Sequence, residues 1–68
     1  MNNTEAVIKK IILEMDIPFK ISDLFRELSQ IGVTDKALIL DVLNSLLNSG
    51  LVKHSDVQDD VNLYCSAI

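Results

Sequence analysis

Four residues near the carboxyl end carry the side chains from which reactive centres are most often built: His54, Ser55, Asp56 and Cys65. The run "HSD" holds the residue types of a hydrolytic relay, in which a carboxylate orients an imidazole that takes a hydroxyl proton. Its spacing works against that chemistry, because successive side chains of a strand point to opposite faces and cannot form the relay. His54 and Cys65 could approach across paired strands and offer a metal an imidazole and a thiolate. Zinc centres, however, take three or four protein ligands at recognisable spacing. This chain has one His, one Cys and no CxxC or HxxxH pair. Gly32 and Gly50 stand alone, so no glycine-rich loop is present to cradle a phosphate. The expectation is a non-enzymatic protein with no catalytic residue, metal site or cofactor.

The acidic residues Asp56, Asp59 and Asp60 raise a different possibility, contact with a charged partner. The chain has 68 residues, ten acidic and six basic side chains, and a net charge of −4. Residues 1–33 carry four basic and five acidic groups, whereas from Thr34 onward two lysines face five aspartates. Such a balance repels nucleic acid and anionic membrane unless the cations are gathered on one surface. Only three residues, Phe19, Phe25 and Tyr64, are aromatic. Little ring surface is therefore left for stacking on bases, and the core must come from Ile, Leu and Val. A chain of this length makes one small domain, read as 1–68, that buries only about 60% of its unfolded surface.

The lone Cys65 cannot close an internal disulfide, which suits a reducing cytoplasmic setting, or the nucleus of a eukaryotic cell. "MNNTEAVIKKIILEM" lacks the cationic head and unbroken apolar run of a secretion signal. Its Lys9 and Lys10 sit beside aliphatic residues, but Glu5, Glu14 and the absence of rings argue against a membrane-surface helix.

The elements that must position these groups follow from periodicity. Val7, Ile8, Ile11, Ile12 and Met15 form the stripe of an amphipathic helix over about residues 3–16, with Asn2 and Glu5 as a candidate capping box. Pro18 ends it. "PFKIS" is short and extended and could add a minimal strand to a sheet. Ser22 is the expected cap of a second helix, with Asp23 in its first turn, Leu24, Phe25, Leu28 and Ile31 on its buried face, and Gly32 as its stop. Thr34 is the expected cap of a third helix running to Gly50. In it Ile39, Val42, Leu43 and Leu46 form one face, flanked by Leu38 on one side and by Leu40 and Leu47 on the other. "LVKHSD" and "VNLYCSAI" read as strands. The stretch between them, about "DVQDD", has no Asn-Gly or Gly-X signal and predicts a looser loop of four or five residues.

Helix, short strand, helix, tight turn, helix, strand, loop, strand is the order of a winged helix-turn-helix, and on "VLNSLLNSGLVK" the chain resembles that superfamily. The resemblance implies an α+β fold, mainly α, with three helices and a two- or three-stranded antiparallel wing. Within the superfamily, "SDLFRELSQIG" with "GLVKHSDVQDD" is similar to the carboxy-terminal domain of the replication protein A middle subunit, an acidic module that docks repair proteins. "GVTDKALILDVLNSLLNSGLV" is similar to the amino-terminal domains of the meiotic recombination accessory heterodimer, which contact DNA.

Two functional expectations follow. In the first, the domain binds another protein within nucleic-acid-processing or transcription machinery, through Leu40, Asn44 and Leu47 of the third helix and Asp56, Asp59 and Asp60 of an acidic wing. The partner is a basic or apolar segment, or a second copy of the chain. Against it stands the plainer reading that Leu40 and Leu47 pack into the core and the aspartates serve turn chemistry and guard a strand edge. In the second, a dimer regulates transcription by binding DNA, with Thr34 and Lys36 at the groove and Lys53 or His54 near the backbone. The resemblance implies a third helix in the major groove. Yet 6–10 phosphate contacts call for about that many donors, and the whole chain has six basic side chains.

Overall fold

The computed structural model describes residues 3–67. Three helices, α1 (Thr4–Glu14), α2 (Ile21–Ser29) and α3 (Lys36–Ser49), precede an antiparallel hairpin of β1 (Val52–Gln58) and β2 (Val61–Ser66). The expected α+β layout, a helix-turn-helix followed by a wing, is the observed one.

The core is almost wholly aliphatic. Ile8 and Ile12 from α1, Leu24 and Leu28 from α2, and Ile39, Leu43 and Leu46 from α3 are buried, closed by Phe19 and Val52. Each helix thus contributes pairs four residues apart, the spacing that stacks side chains on one helical face. Burying each such side chain fully contributes about 1.5–3 kcal/mol. Val7, at the edge of the predicted α1 stripe, remains 38% exposed.

Helix starts differ from the sequence reading. Asn2 lies outside the described residues, and Asn3, the observed cap of α1, makes no side-chain capping bond. The cap of α2 is Lys20, two residues before the expected Ser22. Its entry is fixed from a distance: Phe19 donates its N–H to the Tyr64 carbonyl at 2.8 Å and accepts the Tyr64 N–H at 2.7 Å. The chain turns directly after this bridge, with Leu24 N–H bonding the Lys20 carbonyl at 3.2 Å. Asp23 reaches back towards the Lys20 N–H at 3.5 Å. The expected minimal strand in "PFKIS" is therefore a single bridge. For α3 the cap is Asp35, one residue beyond Thr34, its Oδ1 accepting the Leu38 N–H at 3.2 Å. A carboxylate there also meets the positive end of the helix dipole.

Both glycine stops hold. Gly32 (φ +84°) donates to the Ser29 carbonyl while Val33 donates to Leu28, and Gly50 (φ +79°) donates to Leu47 while Leu51 donates to Leu46. These paired bonds are Schellman closures, in which the left-handed residue lets the chain satisfy the last carbonyls. The first closure displaces Ile31. The helix ends before it, Val33 packs against the core instead, and Ile31 is left 53% exposed.

The wing differs most from expectation. Gln58 pairs with Val61, so the loop is two residues, Asp59 and Asp60, with φ of +51° and +63°. Two positive φ angles mark a type I′ turn, whose twist matches that of the strands. Asp tolerates this region because its short side chain bonds locally. Asp56 consequently lies within β1 and not in the loop, beside a register shift between His54 and Asp56 that leaves Ser55 as a bulge.

Candidate interaction surface

The pleat divides the wing into two faces. His54 lies opposite Tyr64 and Val52 opposite Ser66, whereas Lys53 lies opposite Cys65, Asp56 opposite Leu63 and Gln58 opposite Val61. Directly paired residues share a face. Val52 is buried and Tyr64 packs on the core, so the Val52–Tyr64 face looks inward. Val61, Leu63 and Cys65, the apolar alternation of β2, lie on the outer face. His54 and Cys65 accordingly fall on opposite faces and do not form a pair of metal ligands. The His54 ring meets Tyr64 edge-on at 5.6 Å, and its Nε2 is 3.0 Å from Asn62 Oδ1. His54 is thereby engaged with Asn62, and the intervening Ser55 is the bulged residue. Among the described residues no cluster of three or more His, Cys, Asp or Glu is placed to hold a metal ion.

The residues named for DNA contact are divided. Thr34 is exposed in the α2–α3 connection, and Lys36 is the first residue of α3. The Lys36 ammonium stands 5.4 Å from the centroid of the Phe25 ring, a cation–π contact that ties the start of α3 to α2. Lys53 and His54 are both exposed on β1 but point to opposite faces, so one backbone cannot meet both in the same way.

The residues named for protein contact are also divided. Leu40, Asn44 and Leu47 lie on one flank of α3, the flank that begins with Lys36. Leu47 packs against the core; Leu40 is half-buried, and Asn44 is exposed. Neither leucine is among the strongly exposed apolar side chains. Among the described residues those are Ile17, Ile31, Val57, Val61 and, marginally, Val7. Asp59 and Asp60 occupy the hairpin tip. Asp59 lines a cleft of about 520 Å³ with Pro18, Lys20, Asp23 and Leu63, so the wing tip is gathered with the entry to α2. A second groove, about 350 Å³, runs between α1 and α3 past Glu5, Lys9, Asp41, Val42 and Leu46. Both concavities escape sequence reading because they join residues far apart in the chain.

Four of the six cations stand beside an acid or a ring. Lys9 shares its groove with Glu5 and Asp41, and Lys20 shares its cleft with Asp23 and Asp59. Arg26 bonds Asp23 Oδ1 at 3.1 Å, and Lys36 lies over Phe25. These four cations are spread over α1, the entry to α2, α2 itself and the start of α3, and of them Arg26 is held in a direct ion pair, with Asp23. Among the described residues no helix is long and apolar enough to cross a membrane. Comparison with protein-family models, curated proteins and solved structures gave no match for this chain.

Proposed function

We propose that this domain is a non-enzymatic winged-helix module that binds a cationic segment of another protein within nucleic-acid-processing or transcription machinery, through its acidic wing tip and the exposed side of α3. The observation that carries the reading is the Asp59–Asp60 turn. It places two carboxylates at the apex of the hairpin, where a wing that rests on DNA would meet phosphate. Two further features support it: Lys9, Lys20, Arg26 and Lys36 are spread over separate elements, and the net charge is −4. Opposite charge on a partner speeds encounter and selects against anionic competitors. Because Leu40 and Leu47 are half-buried, the α3 contribution rests on polar contacts at Asn44 and on the edges of these leucines.

The test compares an arginine-rich peptide with a duplex DNA by fluorescence anisotropy across a salt series, with amide shifts recorded for each. Peptide binding that perturbs Asp59, Asp60 and Asn44, with no duplex binding at low salt, is the expected result. Salt-sensitive duplex binding that perturbs Thr34, Lys36 and Lys53 would replace this reading with that of a dimeric DNA-binding regulator.

A further inference from the structure

β1 is the outermost strand of the sheet. Among the described residues its one neighbour is β2, whose other side is taken at Tyr64 by the Phe19 bridge. The far side of β1 is thus a free edge, and such an edge templates pairing with a strand of another chain. Three features along it differ in kind. At the base, Val52 is only 2% exposed, so its backbone is covered. In the middle, the register shift between His54 and Asp56 puts Ser55 into a bulge, which twists the edge away from a flat partner. Beyond the bulge lies Val57. In a two-residue hairpin the pair flanking the turn, here Gln58 and Val61, exchanges hydrogen bonds; the next pair, Val57 and Asn62, does not, and Val57 points its N–H outward. That outward donor is already occupied: Asp56 Oδ1 accepts the Val57 N–H at 2.7 Å.

We infer that Asp56 is an edge guard, its carboxylate closing the exposed part of β1 against strand pairing with a second copy of this chain. The neighbouring side chain gives such pairing a driving force. Val57 is 53% exposed, and a second strand laid along this edge would remove part of that apolar surface from water. A strand arriving at the edge would have to displace a charge-assisted bond, which is stronger than the neutral backbone bond it offers in return. The role separates Asp56 from Asp59 and Asp60, which stand at the tip, and it holds whether or not the tip binds a cationic partner.

Two substitutions in the full chain test it. Asp56→Ala removes the acceptor, whereas Asp56→Asn removes the charge but keeps an acceptor oxygen. Sedimentation over a concentration series should show Asp56→Ala self-associating about tenfold or more tightly than wild type, with Asp56→Asn in between because its amide oxygen keeps the bond without the charge. Hydrogen exchange of the Val57 amide should be slowest in wild type, intermediate in Asp56→Asn, and fast in monomeric Asp56→Ala. Asp56→Ala remaining as monomeric as wild type, or Asp56→Asn associating as strongly as Asp56→Ala, would overturn the proposal. Should Asp56→Ala fail to fold, fast exchange of Val57 in the wild-type protein overturns it equally, and slow exchange that quickens in Asp56→Asn supports it.

Discussion

Phe19 and Tyr64 exchange two backbone hydrogen bonds of 2.8 and 2.7 Å and hold their rings 6.2 Å apart, joining the segment before α2 to the inner strand of the wing. This contact spans most of the sequence and places Phe19, 2% exposed, in the core. It also makes β2 the central strand and leaves β1 at the edge.

Removing the ring should therefore act on the whole domain. Phe19→Ala is expected to cost about 3–5 kcal/mol, the range for emptying a buried aromatic site. Domains of this size have total stabilities of only about 3–10 kcal/mol on a per-residue scale. Urea unfolding followed by circular dichroism should show Phe19→Ala largely unfolded or with a much lower midpoint. Tyr64→Phe should stay close to wild type, since it keeps the ring and both backbone bonds. A loss in Tyr64→Phe as large as that in Phe19→Ala would show that the Tyr64 hydroxyl contributes as much as the buried Phe19 ring.

The two helix stops invite a cleaner measurement. A Cβ built on Gly32 or Gly50 meets nothing within 4 Å, yet both residues have positive φ. Any cost of Gly32→Ala or Gly50→Ala is then conformational and not steric, and about 1–2 kcal/mol is expected for each. Asn, which visits this region more readily, should recover part of the loss. Denaturant midpoints of the four single variants decide it, and alanines as stable as the glycines would contradict the left-handed closures.

Local signals carried the helical part of the fold into the sequence and left the wing obscure. Gly32, Gly50 and Pro18 punctuate the chain through backbone properties that need no tertiary context, and the four-residue spacing of Ile8 and Ile12 or Leu24 and Leu28 reports burial directly. Where a distant contact decides, the local reading drifts. Ser22 is the better cap by type, but the Phe19–Tyr64 bridge starts α2 earlier. Ile31 continues the apolar stripe, but the Gly32 closure hands its place to Val33. Asp-Asp lacks the glycine that usually advertises a type I′ turn, and nothing around Ser55 announces a bulge. The candidate site suffered accordingly. Asp59 and Asp60 were legible as a wing tip, whereas the strand position of Asp56 and the Phe25 contact of Lys36 depend on pairing and packing that no local pattern encodes.

Leu40 and Leu47, alike by sequence, should behave differently. Leu47 packs on the core, while Leu40 is half-buried and, among the described residues, is not one of the side chains packed against it. Leu47→Asp places a charge against apolar neighbours and should cost about 2–3 kcal/mol or more. Leu40→Asp should cost clearly less and leave a folded domain. Thermal unfolding of the two variants in parallel makes the comparison, and equal destabilisation would mean that both leucines are packed alike.

The wing tip offers the sharpest separation of stability from function. Asp59 and Asp60 both hold positive φ, a conformation that Asn and Gly adopt at lower cost in this turn. Exchanging the pair for Asn-Gly, as Asp59→Asn with Asp60→Gly, should keep the two-residue loop and stabilise the hairpin, by about 0.5–1 kcal/mol on the scale of such backbone relief. It also removes two negative charges from the apex. If the tip aspartates serve only the turn, the variant should be more stable and otherwise unchanged. The proposed interaction requires a second consequence: binding of the arginine-rich peptide should weaken several-fold and lose part of its salt dependence, because two carboxylates that attract it are gone. A variant that gains stability and binds the peptide undiminished would move the recognition surface away from the wing. Weakened binding in a fully folded variant would instead tie the strained backbone of this turn to the charge that it displays.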